Sequence, residues 1–101
     1  INTDTVIVKV IEIFLEVPTG FTPGAGTNNI LYVYGHDIKK FDFYIFNHWG
    51  GLVFRSNSFS KGWDGTYNGK PAAMDTYTYY VVAETELGTT VVKQGNITLL
   101  R

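Results

Sequence analysis

Short runs of β-forming residues, separated by glycine and asparagine, constrain this chain more than any other feature of its sequence. Valine, isoleucine, threonine and the three aromatic residue types supply 46 of the 101 residues, against 24 strong helix formers. β-branched and aromatic side chains fit a pleated surface and lose rotamer freedom on a helix. Eleven glycines and seven asparagines interrupt these runs at short intervals, as strand connections require. The sequence therefore predicts an all-β domain.

The positions of these interruptions predict six or seven short strands, in a domain of about seven strands. The first strand covers residues 5–17 and changes its alternation midway, which indicates a bulge or a strand that leaves one sheet and joins another. Further strands are expected at residues 30–34, ended by Gly35, and at 38–46, 52–55, 77–85 and 89–100. Gly95, inside the last of these, is expected to mark a bulge. This spacing favours an immunoglobulin-like antiparallel β-sandwich over a closed barrel.

Two turns and one long loop connect the later strands. Residues 47–51, with the sequence NHWGG, are predicted to form a hairpin connection, because Asn and Gly can hold positive φ angles. Leu87-Gly88 is expected to do the same between the last two strands. Residues 56–73 form a long irregular segment, in which Asp64 has the residue type for an Asx turn that bonds its own loop.

The length and charge of the chain exclude several classes of protein. Its 101 residues suit one domain, and its net charge of −1 argues against nucleic-acid binding, which normally needs a basic surface. No apolar run reaches the length of a membrane span, and no cysteine is available for a disulfide. The chain begins without Met or a signal-peptide pattern, so we expect it to be part of a longer protein. We also expect the isolated domain to be monomeric.

Residue types that could support catalysis or metal binding are scattered along the sequence. His36 and His48 are the only imidazoles, and a metal centre needs three or four converging ligands. We expect His36 to form a turn pair with Asp37 and His48 to lie at a hairpin tip. Asp64 and Asp75 suggest a glycosidase pair, but a domain of this size has little room for a catalytic cleft. The sequence thus predicts no catalytic residue, no metal site and no cofactor.

Three aromatic residues lie in glycine-flanked turns instead of alternating strands: Trp49, Trp63 and Tyr67. Exposed rings at such positions can stack on sugar rings or anchor a protein partner. The alternative is that Trp49 and Trp63 fold back and cover the ends of the sandwich. The sequence alone leaves both interpretations open.

Several blocks of sequence occur in an order that matches one known family. They are FTP at 21–23, IFNHWG at 45–50, GWDGTYNGK at 62–70, YTY at 77–79 and ITLLR at 97–101. Together they resemble the gliding-motility-associated C-terminal domain, the type B sorting domain of the type IX secretion system of Bacteroidota. The resemblance covers residues 18–101, and residues 1–17 would then be a linker or strand from a preceding region or the first strand of the domain itself.

This resemblance implies a role in export without catalysis. Such domains fold in the periplasm and are recognised by outer-membrane components of the secretion machinery, such as an SprF/PorP-like protein. The large protein that carries the domain, for example a gliding adhesin, then reaches the cell surface or the medium. The residues that the resemblance offers for recognition are Trp49, Trp63, Asp64, Tyr67, Lys70 and Arg101.

The sequence departs from the family pattern in three places. Residues 24–29 contain no carboxylate where the family has an acidic loop, so we expect no calcium there. His48 replaces an arginine before Trp-Gly, which removes a fixed charge. Asp75 replaces a glycine, and we expect it to adopt a positive φ angle, which Asp tolerates better than most residues.

Two other functions fit the same composition. The turns that carry Trp49, Trp63 and Tyr67 are also typical of a carbohydrate-binding module. An all-β domain in which no group of reactive residues converges could equally be a passive stalk or adhesion module.

Overall fold

Nine β-strands make up the regular structure of the described residues, which are 12–23 and 30–100 of this computed structural model. The strands are β1 (Phe14–Glu16), β2 (Gly20–Phe21), β3 (Tyr34–His36), β4 (Ile38–Phe46), β5 (Leu52–Ser56), β6 (Thr66–Tyr67), β7 (Lys70–Pro71), β8 (Thr76–Thr85) and β9 (Thr90–Leu99). These residues contain no helix. The all-β prediction is therefore confirmed, and the strand number exceeds the predicted seven because β2, β6 and β7 are two-residue strands.

The strands form one large sheet and two small ones. The large sheet has the order β2-β9-β8-β4-β5, while β1 pairs with β3 and β6 pairs with β7. All neighbours are antiparallel except β2 and β9, which pair in parallel through Gly20↔Thr98 and Phe21↔Leu99. This arrangement confirms the β-sandwich, with one two-residue parallel pair as the exception to the predicted antiparallel pairing.

Strict alternation along the long strands separates a core face from a solvent face. In β8 every second residue from Tyr77 to Thr85 is buried, and in β4 the buried residues are Phe41, Phe43 and Ile45. Side chains of successive strand residues point to opposite faces of a sheet, so this pattern gives the large sheet one apolar face. The facing layer of the core is supplied mainly by residues of irregular segments: Val17, Leu31, Val33 and Trp63.

Trp63 is the largest side chain that is almost completely buried, with 1% of its surface exposed. Its ring lies 5.3 Å from that of Phe21 and 5.0 Å from that of Tyr77, between centroids. Its Nε1 donates a hydrogen bond of 2.9 Å to the carbonyl oxygen of Thr66, so its one polar atom is satisfied inside the core. Two backbone hydrogen bonds of 2.8 and 2.9 Å join Trp63 to Leu31.

The predicted Asx turn next to Trp63 is confirmed. Oδ1 of Asp64 accepts hydrogen bonds from the backbone N of Thr66 at 3.1 Å and from its Oγ1 at 2.6 Å. Gly65 has a φ angle of +80°, and a Cβ there would lie 2.5 Å from Cγ of Pro23. The GWDGT sequence therefore folds into a tight turn that holds the tryptophan in the core.

The prediction of a strand at residues 30–34 that ends at Gly35 is wrong. Leu31 forms only an isolated bridge with Trp63, and the strand in this region is β3, with Gly35 at its centre. A Cβ on Gly35 would lie 2.8 Å from the ring of Phe59, so the glycine makes room for an aromatic side chain and does not end a strand.

The prediction of a bulge at Gly95 is also wrong. The register between β8 and β9 is continuous from Thr76↔Thr98 to Glu84↔Thr90, with Gly95 opposite Tyr79. A Cβ at this position would meet the Tyr79 ring at 2.8 to 3.0 Å. The missing side chain thus lets a buried ring cover the neighbouring strand, a known use of glycine within sheets.

Two expectations concern residues outside the described ranges. The change of alternation within residues 5–17 falls largely on residues 1–11, and of that predicted strand the structure describes β1. The loop at 24–29 likewise lies outside the described residues.

The described part of the chain contains no helix of the length and apolarity that crossing a membrane requires.

Replacing Trp63 with alanine should lower the free energy of unfolding by about 3–5 kcal/mol, because it empties a large volume between Phe21 and Tyr77. Urea unfolding followed by circular dichroism measures this loss. Trp49→Ala is the matched control: that ring is 84% exposed, and its removal should change stability by no more than about 0.5 kcal/mol. Equal losses in the two variants would contradict the assignment of Trp63 to the core.

Candidate functional site

One surface groove, with a volume of about 580 Å³, brings together most of the exposed motif residues. We call it the turn groove, because its walls are the hairpin turn at residues 47–51 and the segment from β6 to the start of β8. Its lining residues are Asn47, His48, Trp49, Val53, Tyr67, Asn68, Lys70, Pro71, Ala72, Ala73, Asp75 and Tyr77.

The first wall is the hairpin between β4 and β5, which confirms the predicted connection. Oδ1 of Asn47 accepts hydrogen bonds from the backbone N of Trp49 at 3.0 Å and of Gly51 at 2.8 Å. Gly50 has a φ angle of +82°, and its N bonds the carbonyl oxygen of Asn47 at 3.0 Å. This rigid turn presents the Trp49 ring to solvent. One interpretation of the sequence expected Trp49 to fold back over the end of the sandwich, and for this residue that interpretation is wrong.

The second wall is the short hairpin of β6 and β7. Tyr67 pairs with Lys70, and the two residues between them, Asn68 and Gly69, have φ angles of +53° and +76°. Positive angles at both central residues are the requirement of the tight turns that asparagine and glycine favour. The turn places the Tyr67 ring, 44% exposed, and the exposed Lys70 on the groove.

A histidine–aspartate pair connects the two walls. Nδ1 of His48 lies 2.6 Å from Oδ2 of Asp75, and the His48 ring is 4.6 Å from the Trp49 ring between centroids. Oδ1 of Asp75 accepts a hydrogen bond of 2.7 Å from the backbone N of Thr76. The backbone carbonyl oxygen of Asp75 accepts another from the backbone N of Leu99. Asp75 is thereby fixed to the large sheet and in turn orients His48.

The expectation that Asp75 adopts a positive φ angle is wrong, since the described non-glycine residues with such angles are Asp37 and Asn68. The carboxylate of Asp75 instead accepts a hydrogen bond from the backbone N of Thr76 and pairs with His48. The Thr76 backbone N–H, and after it the bond to His48, hold the pKa of the Asp75 carboxyl below its ordinary value.

Of the six residues expected to act in recognition, the structure describes five, and these five lie in three different environments. Trp49, Tyr67 and Lys70 line the turn groove. Trp63 is buried in the core, and Asp64 is exposed in the adjoining turn, where its carboxylate accepts hydrogen bonds from Thr66. Arg101 lies outside the described residues.

Sequence reasoning missed the contact between His48 and Asp75. Both residues had drawn attention as departures from the family pattern, but they are 27 positions apart and no periodicity links them. The expected pair of His36 and Asp37 is present where β3 ends, with Nδ1 of His36 3.2 Å from Oδ2 of Asp37. Within residues 12–23 and 30–100, no three histidine, aspartate or glutamate side chains converge on a position where they could hold a metal ion.

The stability of the protein should depend on the charge of Asp75 at acid pH. A carboxyl whose pKa is lowered by folding stabilises the native state above its ordinary pKa of 3.8 and loses that effect as the pH falls below it. We expect the wild-type urea midpoint to exceed that of Asp75→Asn near neutral pH and the difference to shrink below pH 3.8. A difference that stays constant down to about pH 2 would contradict this assignment.

Comparison with known proteins adds the fold and the family. The solved structure of CopC from Methylosinus trichosporium OB3b superposes with a TM-score of 0.60 at 14% sequence identity, covering 87% of this chain and 93% of CopC. At that identity the likeness shows a shared β-sandwich fold. No curated protein matches the sequence.

A family model described as the CHU_C Type IX secretion signal domain matches residues 15–99, which include both walls of the turn groove and the buried tryptophan turn. The chain therefore belongs to the CHU_C family of type IX secretion signal domains.

Proposed function

We propose that this domain directs a large cell-surface or secreted protein of a member of the Bacteroidota, for example a gliding adhesin, across the outer membrane. The observation that carries the proposal is the family match over residues 15–99, because a type IX secretion signal domain is a targeting domain. In this proposal the domain is a recognition element and not an enzyme, it needs no cofactor or calcium, and it acts as a monomer.

The sorting domain is proposed to extend over residues 18–101. Residues 1–17 then belong to a preceding region or provide the domain's first strand. The protein that carries the domain passes through the periplasm and ends at the cell surface or in the medium. Its partner is proposed to be an outer-membrane component of the secretion machinery of the SprF/PorP type.

The surface that we propose for recognition is the rim of the turn groove. Trp49 and Tyr67 offer exposed aromatic area, and Trp and Tyr are enriched among the residues that contribute most to binding at protein interfaces. Lys70 adds a cation beside these rings. Asp64 and Trp63 contribute indirectly, by fixing the turn that precedes Tyr67. We include Arg101 as a further contact. Recognition then requires the folded domain, since the groove exists only when its two turns are brought together.

An export assay tests the targeting role. The 101 residues are fused behind a signal peptide and a fluorescent protein and expressed in a bacterium with a type IX system and in a secretion-defective strain. We expect fluorescence at the surface or in the medium of the competent strain alone. Periplasmic retention in both strains, with the fusion intact and folded, would overturn the proposal.

The recognition surface is tested with single substitutions in the same fusion. Trp49→Ala and Lys70→Ala should each lower export several-fold, because each removes an exposed contact group without emptying the core. Tyr34→Ala is the matched control, since this exposed ring lies on β3 and outside the turn groove. The urea midpoints of all three variants should stay close to that of the wild type. Normal export of both groove variants would place recognition elsewhere on the domain.

A further inference from the structure

We propose that the turn groove is also a glycan-binding site, which accepts a pyranose ring of a polysaccharide at the cell surface. This activity is separate from export targeting, and it uses the groove after the domain has reached the outside of the cell. The inference comes from the chemistry of the groove's walls.

The first argument is the pair of exposed rings. Trp49 presents an indole from one wall and Tyr67 a phenol from the other. A pyranose whose hydroxyl groups are mainly equatorial has an apolar face of C–H groups that packs against aromatic rings. Large exposed rings are costly in water, and the hairpin that carries Trp49 holds its ring outside the core. Stacking a sugar on the ring would remove this apolar surface from water.

The second argument is the supply of hydrogen-bonding groups beside these rings. Among the described residues, no hydrogen bond or ion pair occupies the side chains of Asn68 and Lys70. Asn68 offers a donor and an acceptor, and Lys70 offers donors. The carboxylate of Asp75 lies on the same groove and is already oriented by Thr76 and His48. Neighbouring hydroxyl groups of a sugar each need one donor and one acceptor, and this set provides both.

The third argument concerns size and the shape of the walls. A volume of about 580 Å³ lies within the range of about 300–1,000 Å³ that small-molecule sites occupy. A peptide that bound by adding a strand would need a row of free backbone groups along a sheet edge. Most of the groove's lining comes from tight turns and from β6 and β7, which have two residues each, and the edge strand β5 contributes only Val53. The side-chain chemistry therefore favours a sugar over an extended peptide.

The two tryptophans make a direct measurement possible. Trp49 is 84% exposed and Trp63 is 1% exposed, so a ligand in the groove alters the emission of the first and leaves the second as an internal reference. The purified 101-residue chain is titrated separately with cellohexaose, xylohexaose, mannohexaose and oligogalacturonate, and emission and acrylamide quenching are recorded. We expect at least one neutral oligosaccharide to shift the emission to shorter wavelength and to protect Trp49 from quenching.

Calorimetry on variants locates the site, because Trp49→Ala lacks the fluorescent reporter. Trp49→Ala should weaken binding by about tenfold or more, and Lys70→Ala and Asp75→Asn should weaken it several-fold. Tyr34→Ala, with an exposed ring outside the groove, should bind like the wild type.

Three outcomes would overturn the proposal. One is the absence of any fluorescence or heat signal with all four sugars. Another is unchanged affinity in Trp49→Ala. The third is binding of oligogalacturonate alone that salt abolishes, which would indicate attraction to Lys70 and no stacking. None of these outcomes bears on export, which the fusion assay measures independently.

Discussion

The buried indole of Trp63 is the contact on which the rest of the structure depends. The large sheet offers one apolar face, and the residues that cover this face include four from irregular segments: Val17, Leu31, Val33 and Trp63. Trp63 attaches its loop to this core, because its ring packs on Phe21 and Tyr77 and its backbone forms two hydrogen bonds with Leu31. A large side chain with a satisfied polar atom thereby fixes the loop and the core together.

The candidate site follows from this anchoring. Because the chain leaves Trp63 through the Asx turn of Asp64, the hairpin of β6 and β7 begins at a fixed position beside the sheet. The turn at 47–51 is fixed separately by the side chain of Asn47. The turn groove is therefore built from two locally determined turns, and the bond from His48 to Asp75 joins its walls. Locally rigid turns of this kind suit a surface that must be recognised repeatedly in the same shape.

Local information predicted much of this architecture. The bounds of β4, the hairpin at 47–51 and the Asx turn at Asp64 follow from alternation and turn chemistry within a few residues. Gly35 and Gly95 were interpreted from their neighbours in sequence, whereas their role is to admit the rings of Phe59 and Tyr79 from elsewhere in the chain. The bridge from Leu31 to Trp63 and the pair of His48 and Asp75 are equally non-local. One sequence gives the residue types at such contacts but not which distant positions meet.

The position of β9 has a consequence for when the domain can fold. This strand lies between β2 and β8, and its buried residues Ile97 and Leu99 complete the core. The pairing of β2 also depends on it, through Gly20↔Thr98 and Phe21↔Leu99. A polypeptide truncated before these residues lacks a central strand and cannot close the sandwich. The folded domain, and with it any surface that the secretion machinery recognises, is thus available only in molecules that have been translated through β9.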